Sequence, residues 1–584
     1  MGVVKVADYQ GDADSYSVPE QTRKVFEEGI LRNPLNANDL PRGYEEYSRK
    51  ITFKGSDFPS LAINWRFAES ISALKGLEAV FLNALLVEKY GVEPQEIVVD
   101  TDHAQLFAMS CFFWTIDPHG ENTISGQTLG KKDSAQLYPL FKNCDYHDWL
   151  QPLHRGQATN IFKTKDGRFF HIHGSLDPVP MLDFFGFPHH KPEVKTFEEA
   201  IVPFAEAVAQ YDSEELEKKV SKEVKAAGTI CWTPDEYANS EHGKANAHVG
   251  LYEIYETPNP AQKPVWWHST PQTGVARPLA GLKVVDLTRV IAAPAVTRGL
   301  AEWGASVMRV TAPHVPDASQ LHPDLHWGKW NAHLDLRHEQ DREILKGLIL
   351  EADVVVQGYR PGVMEKYGFG CADIIQLCKD RERGIIVARE NCYGYHGPWS
   401  FRSGWQQISD ANSGVSMEFG RAMGNDEPVT PVLPNSDYCT GVAGLCGIVD
   451  AIIRRGQRGG SWQVDIALNY YSQWLVNSVG TYPPQVWDRL WTQNGRPVFR
   501  HYHNMFQIIP SYMRQLRENS ADKLFKDEFF VERESGAIGK TVRFVAPILA
   551  FPEGKVKLGF NVGTRGNGVD QPRWPDDLMT EVVV

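Results

Sequence analysis

The spacing of apolar residues in 281–310 changes twice, which predicts a strand, a helix and a second strand. The first strand is a short apolar run that ends at Leu287. Pro294 is typical of a first helical turn, Gly304 is typical of a helix end, and the second strand covers Val307–Val310. Two strands joined by one helix in so short a segment predict a parallel pair with a right-handed crossover. Ligands of such sheets lie at the carboxyl ends of the strands.

A helix followed by a strand occurs twice in the chain, so we infer an internal repeat. The two copies lie at 63–86 with 97–106 and at 435–453 with 462–471. Aligning Gly76 with Gly447 superimposes the apolar positions of the two helices and places Arg66 opposite Asp437. We interpret the first copy as a degenerate half, in which Arg66 contacts either an anionic ligand or a facing carboxylate. Coincidence between two unrelated helix–strand units is the alternative interpretation.

Length and composition predict a globular protein with two or more domains. The chain has 584 residues, of which 42% are hydrophobic and 23% are charged, and no stretch approaches the ~20 apolar residues of a membrane span. Its net charge of −13 argues against nucleic acid and anionic membranes as partners. The eight cysteines are dispersed without a CxxC motif, and the N-terminal residues lack the apolar core of a signal peptide. We therefore expect a reducing, cytoplasmic location.

Eight short motifs in the second half of the chain carry a family resemblance. They are DLTRVIAAP (286–294), WGASVMRV (303–310), NAHLDLRHEQDREIL (331–345), ADVVVQGYRPGVMEKYGFG (352–370), YGYHGP (393–398), NSGVS (412–416), SDYCTGVAGLCGIVDAI (436–452) and GSWQVDIAL (460–468). In this order and spacing they resemble the class III CoA-transferase family. That family includes formyl-CoA:oxalate and carnitine CoA-transferases, with α-methylacyl-CoA racemase as a relative. The resemblance extends over residues 279–469.

The resemblance implies the fold class and the organisation of the chain. It implies an α/β fold, with a Rossmann-like parallel sheet and helices plus a smaller α+β domain. We expect the interlocked architecture of this family, with its halves rearranged in sequence. Residues 1–256 then form a degenerate repeat with the small domain, 257–278 a Pro-rich linker, and 279–584 the CoA-binding and catalytic half with a closing segment. In many relatives two identical chains interlock. A homodimer and a pseudo-dimer formed within one chain are therefore two alternative assemblies for this protein.

The resemblance also implies a catalytic nucleophile, Asp437 in SDYCTGVAG. In the family this carboxylate attacks the thioester of an acyl-CoA, and CoA then passes through an aspartyl thioester to an acceptor acid. Without the family resemblance, the residues favour an N-cap role, because Ser436 and Asp437 precede a helical run. Such residues at a helix start stabilise the helix by ~1 kcal/mol. Both roles are compatible at one helix start. A glycine-rich loop that covers the nucleophile in relatives matches Arg155, Gly156 and Gln157, ahead of a predicted hairpin with the turn KDGR.

The CoA-binding positions of the family are carried over residue by residue. The matching positions in this chain are Leu334, Arg337, Gly358, Tyr359, Arg360, Lys366, Asn391, Gly394, Ile291 and Ala292. The basic side chains among them suit CoA, which carries phosphates. Ile291 stands where formyl-CoA transferase has a polar amide, and Ala312 stands where that enzyme has a phosphate-binding arginine. These two differences argue against an oxalate-type substrate.

We therefore predict a transferase that moves coenzyme A between an acyl-CoA and a small carboxylic acid. CoA is a substrate in this reaction, and no tightly bound cofactor or metal is expected. His171 and His173 share one strand face, but no third ligand is evident, so we interpret them as structural histidines. The alternatives are an isomerase, racemase or lyase acting on a CoA thioester, or a non-catalytic CoA-binding pseudoenzyme. Residues 402–412 lack the His–Asp pair of the related racemase, which argues against racemisation.

Overall fold

The computed structural model describes residues 5–7, 9–126 and 134–584, and the remaining residues, all within the predicted N-terminal domain 1–256, lie outside it. The α-helices of the described residues are Val18–Lys24 (α1), Tyr44–Arg49 (α2), Phe67–Tyr90 (α3), Thr101–Phe107 (α4), Ser134–Leu137 (α5), Val179–Phe184 (α6), Phe197–Val208 (α7), Ser213–Lys218 (α8), Pro234–Asn239 (α9), Glu241–Asn246 (α10), Ala292–Glu302 (α11), His322–Leu325 (α12), Glu339–Glu351 (α13), Cys371–Leu377 (α14), Gln406–Asn412 (α15), Val415–Ala422 (α16), Asn435–Arg458 (α17), Leu468–Trp474 (α18), Pro484–Gln493 (α19), Met505–Asn519 (α20) and Ala521–Leu524 (α21). The β-strands are Ile51–Lys54 (β1), Ile97–Asp100 (β2), Thr115–Ile116 (β3), Ile124–Ser125 (β4), Asn160–Lys163 (β5), Phe169–His173 (β6), Ala227–Ile230 (β7), Glu253–Thr257 (β8), Lys283–Leu287 (β9), Ser306–Thr311 (β10), Lys329–His333 (β11), Val354–Gln357 (β12), Ile386–Asn391 (β13), Ser461–Ala467 (β14), Phe530–Ser535 (β15), Lys540–Val545 (β16) and Leu549–Ala550 (β17).

The main sheet has seven strands in the order β11–β10–β9–β12–β13–β14–β8. Neighbouring strands are parallel except β8, which runs antiparallel to β14. Helix α11 connects β9 to β10, so the predicted strand–helix–strand unit is confirmed. Val284 and Ile386 face a core shared with α11 and α17, whereas Val285 and Val387 pack on the opposite side with residues of α13 and α14. Helices therefore cover both faces of a mostly parallel sheet, and the predicted α/β class is confirmed.

The N-terminal and C-terminal parts of the chain share one hydrophobic core. A continuous cluster of buried apolar side chains extends from Val6 to Phe560. Strand β8 joins the main sheet from the N-terminal side, and α3 packs along α17. The two repeat helices are each 24 residues long, but their starts differ. Arg66 is the cap residue of α3, whereas Asp437 is the third residue of α17. The division of the chain into domains stays a prediction.

Arg66 of the first repeat copy forms its hydrogen bonds with groups inside the protein. Its guanidinium donates to the backbone carbonyl of Val479 at 3.2 Å and to the side chain of Gln21 at 3.2 Å. The Glu69 carboxylate lies 3.9 Å from Nε of Arg66. Only 4% of the Arg66 surface is exposed, so the facing-carboxylate interpretation of this residue fits the structure better than an external ligand.

Two strands are shorter than the sequence pattern predicts. The predicted strand 97–106 ends at Asp100, because its carboxylate accepts hydrogen bonds from the backbone of Asp102 and His103 and starts α4. The predicted strand 462–471 ends at Ala467, where α18 begins. In both places an apolar run continues from a strand into a helix. Periodicity does not separate the two structures in runs this short.

Helices α3 and α17 are long and apolar enough to cross a membrane, contrary to the expectation that no stretch has this character. Their 18-residue windows have mean hydropathies of 1.5 and 1.3, and 94% of each window is buried inside the protein. Long helices of this hydropathy that are buried on nearly all sides are expected in the centre of a large core. These two helices are the centre of the shared core described above.

A smaller antiparallel sheet, β5–β6–β7, forms part of the predicted α+β region. The predicted hairpin is confirmed between β5 and β6, where Gly167 adopts φ +81° in the turn. A 3₁₀-helix, Arg155–Ala158, precedes β5. Strand β7 contacts α15, which in turn contacts α17. The smaller sheet is therefore placed beside the start of α17.

Helix α17 packs against α11 through positions that lack large side chains. A Cβ atom at Gly441 would lie 2.6 Å from the Cβ of Ala295. In the same way, a Cβ atom at Gly299 would lie 2.8 Å from Cδ2 of Leu445. Real Cβ atoms do not approach other atoms this closely. Gly441 is required because Ala295 Cβ cannot move without its backbone, whereas a Cβ at position 299 would need only the Leu445 side chain to shift. This contact fixes where α17 lies relative to the main sheet.

We expect Gly441→Ala to lower the free energy of unfolding by about 1–3 kcal/mol, because the added methyl group overpacks the helix contact. A matched control is Gly347→Ala in α13, where an added Cβ has no neighbour within 4 Å. That change should raise the free energy of unfolding by about 0.5–1 kcal/mol, since alanine favours the helix. Denaturant unfolding of both variants measures the difference. A Gly441→Ala variant as stable as wild type would show that α11 and α17 are not held this closely.

Candidate active site

A cavity of about 780 Å³ is lined by residues from both parts of the chain. Asp437 lies in its wall, with 9% of its surface exposed. The loop after β9 contributes Val290 and Ile291, and the 3₁₀-helix before β5 contributes Gly156. Strand β6 contributes His173, and α20 contributes several side chains, among them Met505, Ile509 and Met513. The cavity thus lies next to the carboxyl end of β9, as ligand sites of parallel sheets do.

Asp437 lies in the first turn of α17 but is not its N-cap. The helix begins at Asn435, and Pro434 occupies the cap position. In the first turn the backbone N–H groups have no partner within the helix, and the helix dipole favours an anion. The preceding residue, Ser436, donates a hydrogen bond to Asp410 of α15 at 2.8 Å. This bond ties the start of α17 to a second acidic residue.

Two acidic side chains near this helix start influence the pKa of Asp437. Burial raises the pKa of Asp437 well above its usual value, and the nearby carboxylates of Glu390 and Asp410 raise it further. Burial also raises the pKa of Glu390 to about 8 and the pKa of Asp410 to about 7. The ionised carboxylate of Asp437 is therefore less stable here than in water. A carboxylate destabilised in this way is a stronger nucleophile when it does ionise.

Backbone strain is concentrated around the cavity. Ser175, Val290 and Val432 all line it, and they have φ angles of +55°, +71° and +53°. Positive φ is rare for residues other than glycine and is least favourable for a β-branched residue such as valine. Each such residue costs on the order of 1–3 kcal/mol, and such residues cluster at functional sites. The surrounding fold holds these loops in place against that cost.

The predicted loop Arg155–Gln157 forms a buried 3₁₀-helix, and its glycine faces the same cavity as Asp437. The Arg155 guanidinium donates to the backbone carbonyls of His147, Asp148 and His189. A Cβ atom at Gly156 would lie 2.9 Å from the carbonyl oxygen of Gln151. The structure therefore brings Asp437 and Gly156 to one site, as the resemblance implies, and holds the loop by backbone contacts.

The predicted CoA-binding residues separate into two groups. Ile291 lines the cavity, and Ala292 is the first residue of α11. The other eight positions do not contribute to the cavity wall among the described residues; they are Leu334, Arg337, Gly358, Tyr359, Arg360, Lys366, Asn391 and Gly394. Leu334 is buried in the core, and the side chain of Asn391 hydrogen-bonds the backbone of Gly394 in both directions.

The cations of the second group differ in what they contact. Arg337 forms a two-pronged ion pair with Asp335. Arg360 donates to the carbonyl of Lys225 at 3.0 Å. The ammonium of Lys366 lies 5.5 Å from the ring centre of Tyr367. Any phosphate at these positions has to compete with Asp335 for Arg337.

The glycine and the aromatic residue of this group lie at the carboxyl end of β12. Gly358 follows the strand, and a Cβ atom there would lie 2.9 Å from the Cβ of Ala293 in α11. The guanidinium of Arg289 lies 5.3 Å from the ring centre of Tyr359. Sequence reasoning did not select Arg289, although it is the second residue after β9 and precedes the strained Val290. A cation and an aromatic ring are thus placed together beside the loop that lines the cavity.

His171 and His173 lie on β6, and each already has a hydrogen bond at one ring nitrogen. The backbone N–H of Ser175 donates to Nδ1 of His173 at 2.9 Å, and Nδ1 of His171 lies 2.8 Å from the carbonyl of Ile172. Burial lowers the pKa of both rings, so both are neutral at pH 7. His173 also stacks on Trp405, with 5.6 Å between ring centres. These contacts fit the structural role that the sequence predicts for them.

Sequence reasoning missed Glu390, Asp410 and helix α20. A signal for α20 exists, because Met505, Ile509 and Met513 recur at every fourth position, as on one face of a helix. No local signal marks Glu390 or Asp410. Their closeness to Asp437 results from the packing of β13, α15 and α17, which lie apart in sequence.

Comparison with known proteins places this chain among CoA-transferases. A sequence model described as CoA-transferase family III matches residues 279–504. The chain is 49% identical over 576 residues to the acetyl-coenzyme A transferase nodX of Hypoxylon pulicicidum, covering 98% of this chain and 96% of that protein. It is 29% identical over 563 residues to an acyl-CoA transferase of Gibberella moniliformis, covering 92% of each. A CAIB/BAIF family protein from Brucella suis, of known crystal structure, is 26% identical over 34% of this chain and 55% of its own, with a TM-score of 0.30.

An α/β fold, a carboxylate in the wall of a cavity and relatives named as transferases define an enzyme of the CoA-transferase class. The chain belongs to CoA-transferase family III. The names of these relatives do not favour the isomerase, lyase and pseudoenzyme alternatives.

We expect Asp437→Asn to raise Tm relative to wild type, and to do so more at pH 8 than at pH 5. The pKa of Asp437 is raised above its ordinary value, so the folded protein binds this proton more tightly than the unfolded chain does. The stability contributed by this group is therefore present at low pH and is lost as the pH rises through the raised pKa. Asparagine has no such proton to lose. Thermal unfolding at the two pH values measures the effect, and an equal Tm difference at both would contradict it.

Proposed function

We propose that Asp437 is the covalent carrier in a CoA transfer between an acyl-CoA and a carboxylic acid. One observation supports this most directly: Asp437 is the acidic residue of the cavity wall that lies in the first turn of a helix, and it matches the nucleophile position of the family. Its raised pKa indicates a poorly stabilised carboxylate, and such a carboxylate suits nucleophilic attack.

In the proposed reaction the Asp437 carboxylate attacks the carbonyl carbon of the thioester. The C–S bond breaks, and a mixed anhydride and the CoA thiolate result. The thiolate then attacks the aspartyl carbon of the anhydride, which releases the donor acid and leaves an aspartyl-CoA thioester. The acceptor carboxylate attacks this thioester to form a second anhydride, and the thiolate attacks the acceptor acyl carbon of that anhydride. Acyl-CoA leaves, and Asp437 is free again. Each step exchanges one acyl bond for another, so the sequence balances without ATP or an oxidant.

The surroundings of Asp437 suit these steps in two ways. The helix start supplies a positive partial charge that stabilises an anion by about 0.3–1 kcal/mol, and by up to ~2 kcal/mol in partly buried geometries. The cavity wall is largely apolar around Asp437, with Ile291 and Val432 among its residues, so water is kept from the anhydride. Gly156 lies in the same wall, where its lack of a side chain permits close packing against Gln151 and Phe506.

We expect incubation with an acyl-CoA and then hydroxylamine to modify Asp437, as detected by peptide mass spectrometry. Asp437→Asn should lower the transfer rate about 10³-fold or more, because the nucleophile is lost. The matched control is Asp450→Asn. Asp450 lies on the same helix, is buried and has a pKa raised to about 7, but it pairs with Arg454 and does not line the cavity.

The control variant should keep transfer activity, measured below its own unfolding temperature. Equal losses in the two variants would indicate a general effect on α17 instead of a lost nucleophile. Wild-type turnover in Asp437→Asn would rule out the covalent mechanism.

We also propose that the adenosine phosphates of CoA bind at the carboxyl edge of the main sheet, near Arg337, Arg360 and Lys366. Exposed charge contacts of this kind contribute about 0.2–1 kcal/mol each. Neutralising all three should therefore weaken CoA binding roughly ten- to a hundredfold, at about 1.4 kcal/mol per decade. The loss should be larger at low salt than at high salt, because salt screens exposed charges. Calorimetric titration of CoA measures both.

A control for this experiment neutralises three exposed lysines elsewhere, namely Lys218, Lys222 and Lys555. It changes the net charge of the protein equally, so CoA affinity should change little. If both triple variants lose affinity to the same extent, the effect is one of overall charge. If wild type does not bind CoA at millimolar concentration, the proposed function itself is wrong.

A further inference from the structure

We infer that the acid whose acyl group passes through Asp437 has a large apolar body, and that helix α20 is the wall that selects it. This inference rests on the proposed function of Asp437. It concerns the substrate class of this chain, which the family match does not assign; one relative is named for acetyl-coenzyme A. Four features of the cavity support it.

The first feature is the size of the cavity. At about 780 Å³ it lies within the range of roughly 300–1,000 Å³ that is typical of sites for drug-sized ligands. One water molecule takes up about 30 Å³ of liquid volume. The thioester end of CoA must also reach Asp437 and takes part of this space. A ring system or a long aliphatic chain fills more of the remainder than a two-carbon acid does.

The second feature is the way α20 uses its apolar side. Ile508, Tyr512 and Leu516 are buried and pack into the main core. Met505, Ile509 and Met513 belong to the same apolar side, and they line the cavity as well as contacting that core. Part of the apolar side of α20 therefore borders the cavity, which suits an apolar ligand.

The third feature is the nature of the α20 side chains. Of Met505, Ile509 and Met513, the two methionines are unbranched and adapt to irregular partners. Phe506 and Pro510 of the same helix also line the cavity. This wall suits a bulky ligand of irregular outline. Arg514 and Arg517, which are exposed, lie farther along the helix and mark the solvent end of the wall.

The fourth feature is the position of these residues in the sequence. The match to CoA-transferase family III ends at residue 504, and α20 begins at Met505. Other apolar residues of the wall also lie outside the match, namely Phe112, Trp149, Leu150 and Leu176. Asp437, Val290, Ile291 and Val432 lie inside it. The proposed reacting group thus comes from the segment matched to the family, and much of the apolar enclosure comes from segments outside that match.

The test uses the full-length enzyme and the exchange of CoA between an unlabelled acyl-CoA and isotopically labelled acetate. The donors are acetyl-, butyryl-, hexanoyl-, octanoyl- and phenylacetyl-CoA. Burying one methylene group contributes about 0.8 kcal/mol, so kcat/KM should rise about fourfold for each methylene added while the cavity fills. The octanoyl and phenylacetyl donors should therefore exceed acetyl-CoA by a factor of a hundred or more.

Ile509→Trp fills part of the cavity and should lower the ratio of octanoyl to acetyl kcat/KM at least tenfold. The matched control is Val498→Trp, which adds the same side chain at an exposed residue outside this cavity. It should leave the ratio unchanged. Circular dichroism and Tm establish that both variants are folded. If Ile509→Trp unfolds, Met513→Phe replaces it as a milder filling of the same wall.

The outcomes separate this inference from the proposed function. If acetyl-CoA is the best donor and Asp437 is labelled by it, the proposed function stands and the large apolar substrate is wrong. An unchanged ratio in Ile509→Trp would mean that α20 does not select the acyl group. If no acyl-CoA modifies Asp437 and no exchange occurs, the proposed function fails and the inference fails with it.

Discussion

The position of the Asp437 carboxylate depends on how closely α17 packs between α11 and α3. Glycine at position 441 permits the backbone of α17 to reach Ala295, and Gly299 does the same from α11. Helix α11 itself follows β9, so this contact links the start of α17 to the end of a central strand. A shift of either helix would move Asp437 relative to the β9 loop. The geometry of the site therefore follows from backbone packing in the core, and not from contacts made by the carboxylate itself.

The same packing makes the site electrostatically unfavourable. The helix start stabilises an anion by about 0.3–1 kcal/mol, and at most ~2 kcal/mol. Burial together with the charges of Glu390 and Asp410 opposes ionisation more strongly, because the pKa of Asp437 is raised despite the helix start. Strained residues at positions 290 and 432 add a further cost beside it. A single large core shared by both parts of the chain can offset such costs, since burial of apolar side chains is the dominant favourable term in folding.

The sequence predicted those parts of the structure that depend on local pattern. The unit β9–α11–β10 and the hairpin around Gly167 were predictable from apolar periodicity and turn residues. Asp437 and Gly156 were selected by family resemblance, and the structure places both at one cavity. Glu390 and Asp410 were not predictable, because nothing near them in sequence indicates that they approach α17. The strand ends at Asp100 and Ala467 were missed because an apolar run continues into a helix there.

The order of segments in the chain has a consequence for how function is assigned. The segment that matches the family supplies the sheet and Asp437, but the cavity also needs the 3₁₀-helix at Arg155–Ala158 and helix α20, which lie before and after that segment. The matching segment is therefore sufficient to indicate CoA transfer, but it is insufficient to indicate which carboxylic acid takes part. Catalysis requires a nucleophile at a fixed position, whereas specificity is set by the shape and polarity of the remaining wall. Under the proposed function, different stretches of sequence meet these two requirements, so relatives that share the first stretch can differ in the second.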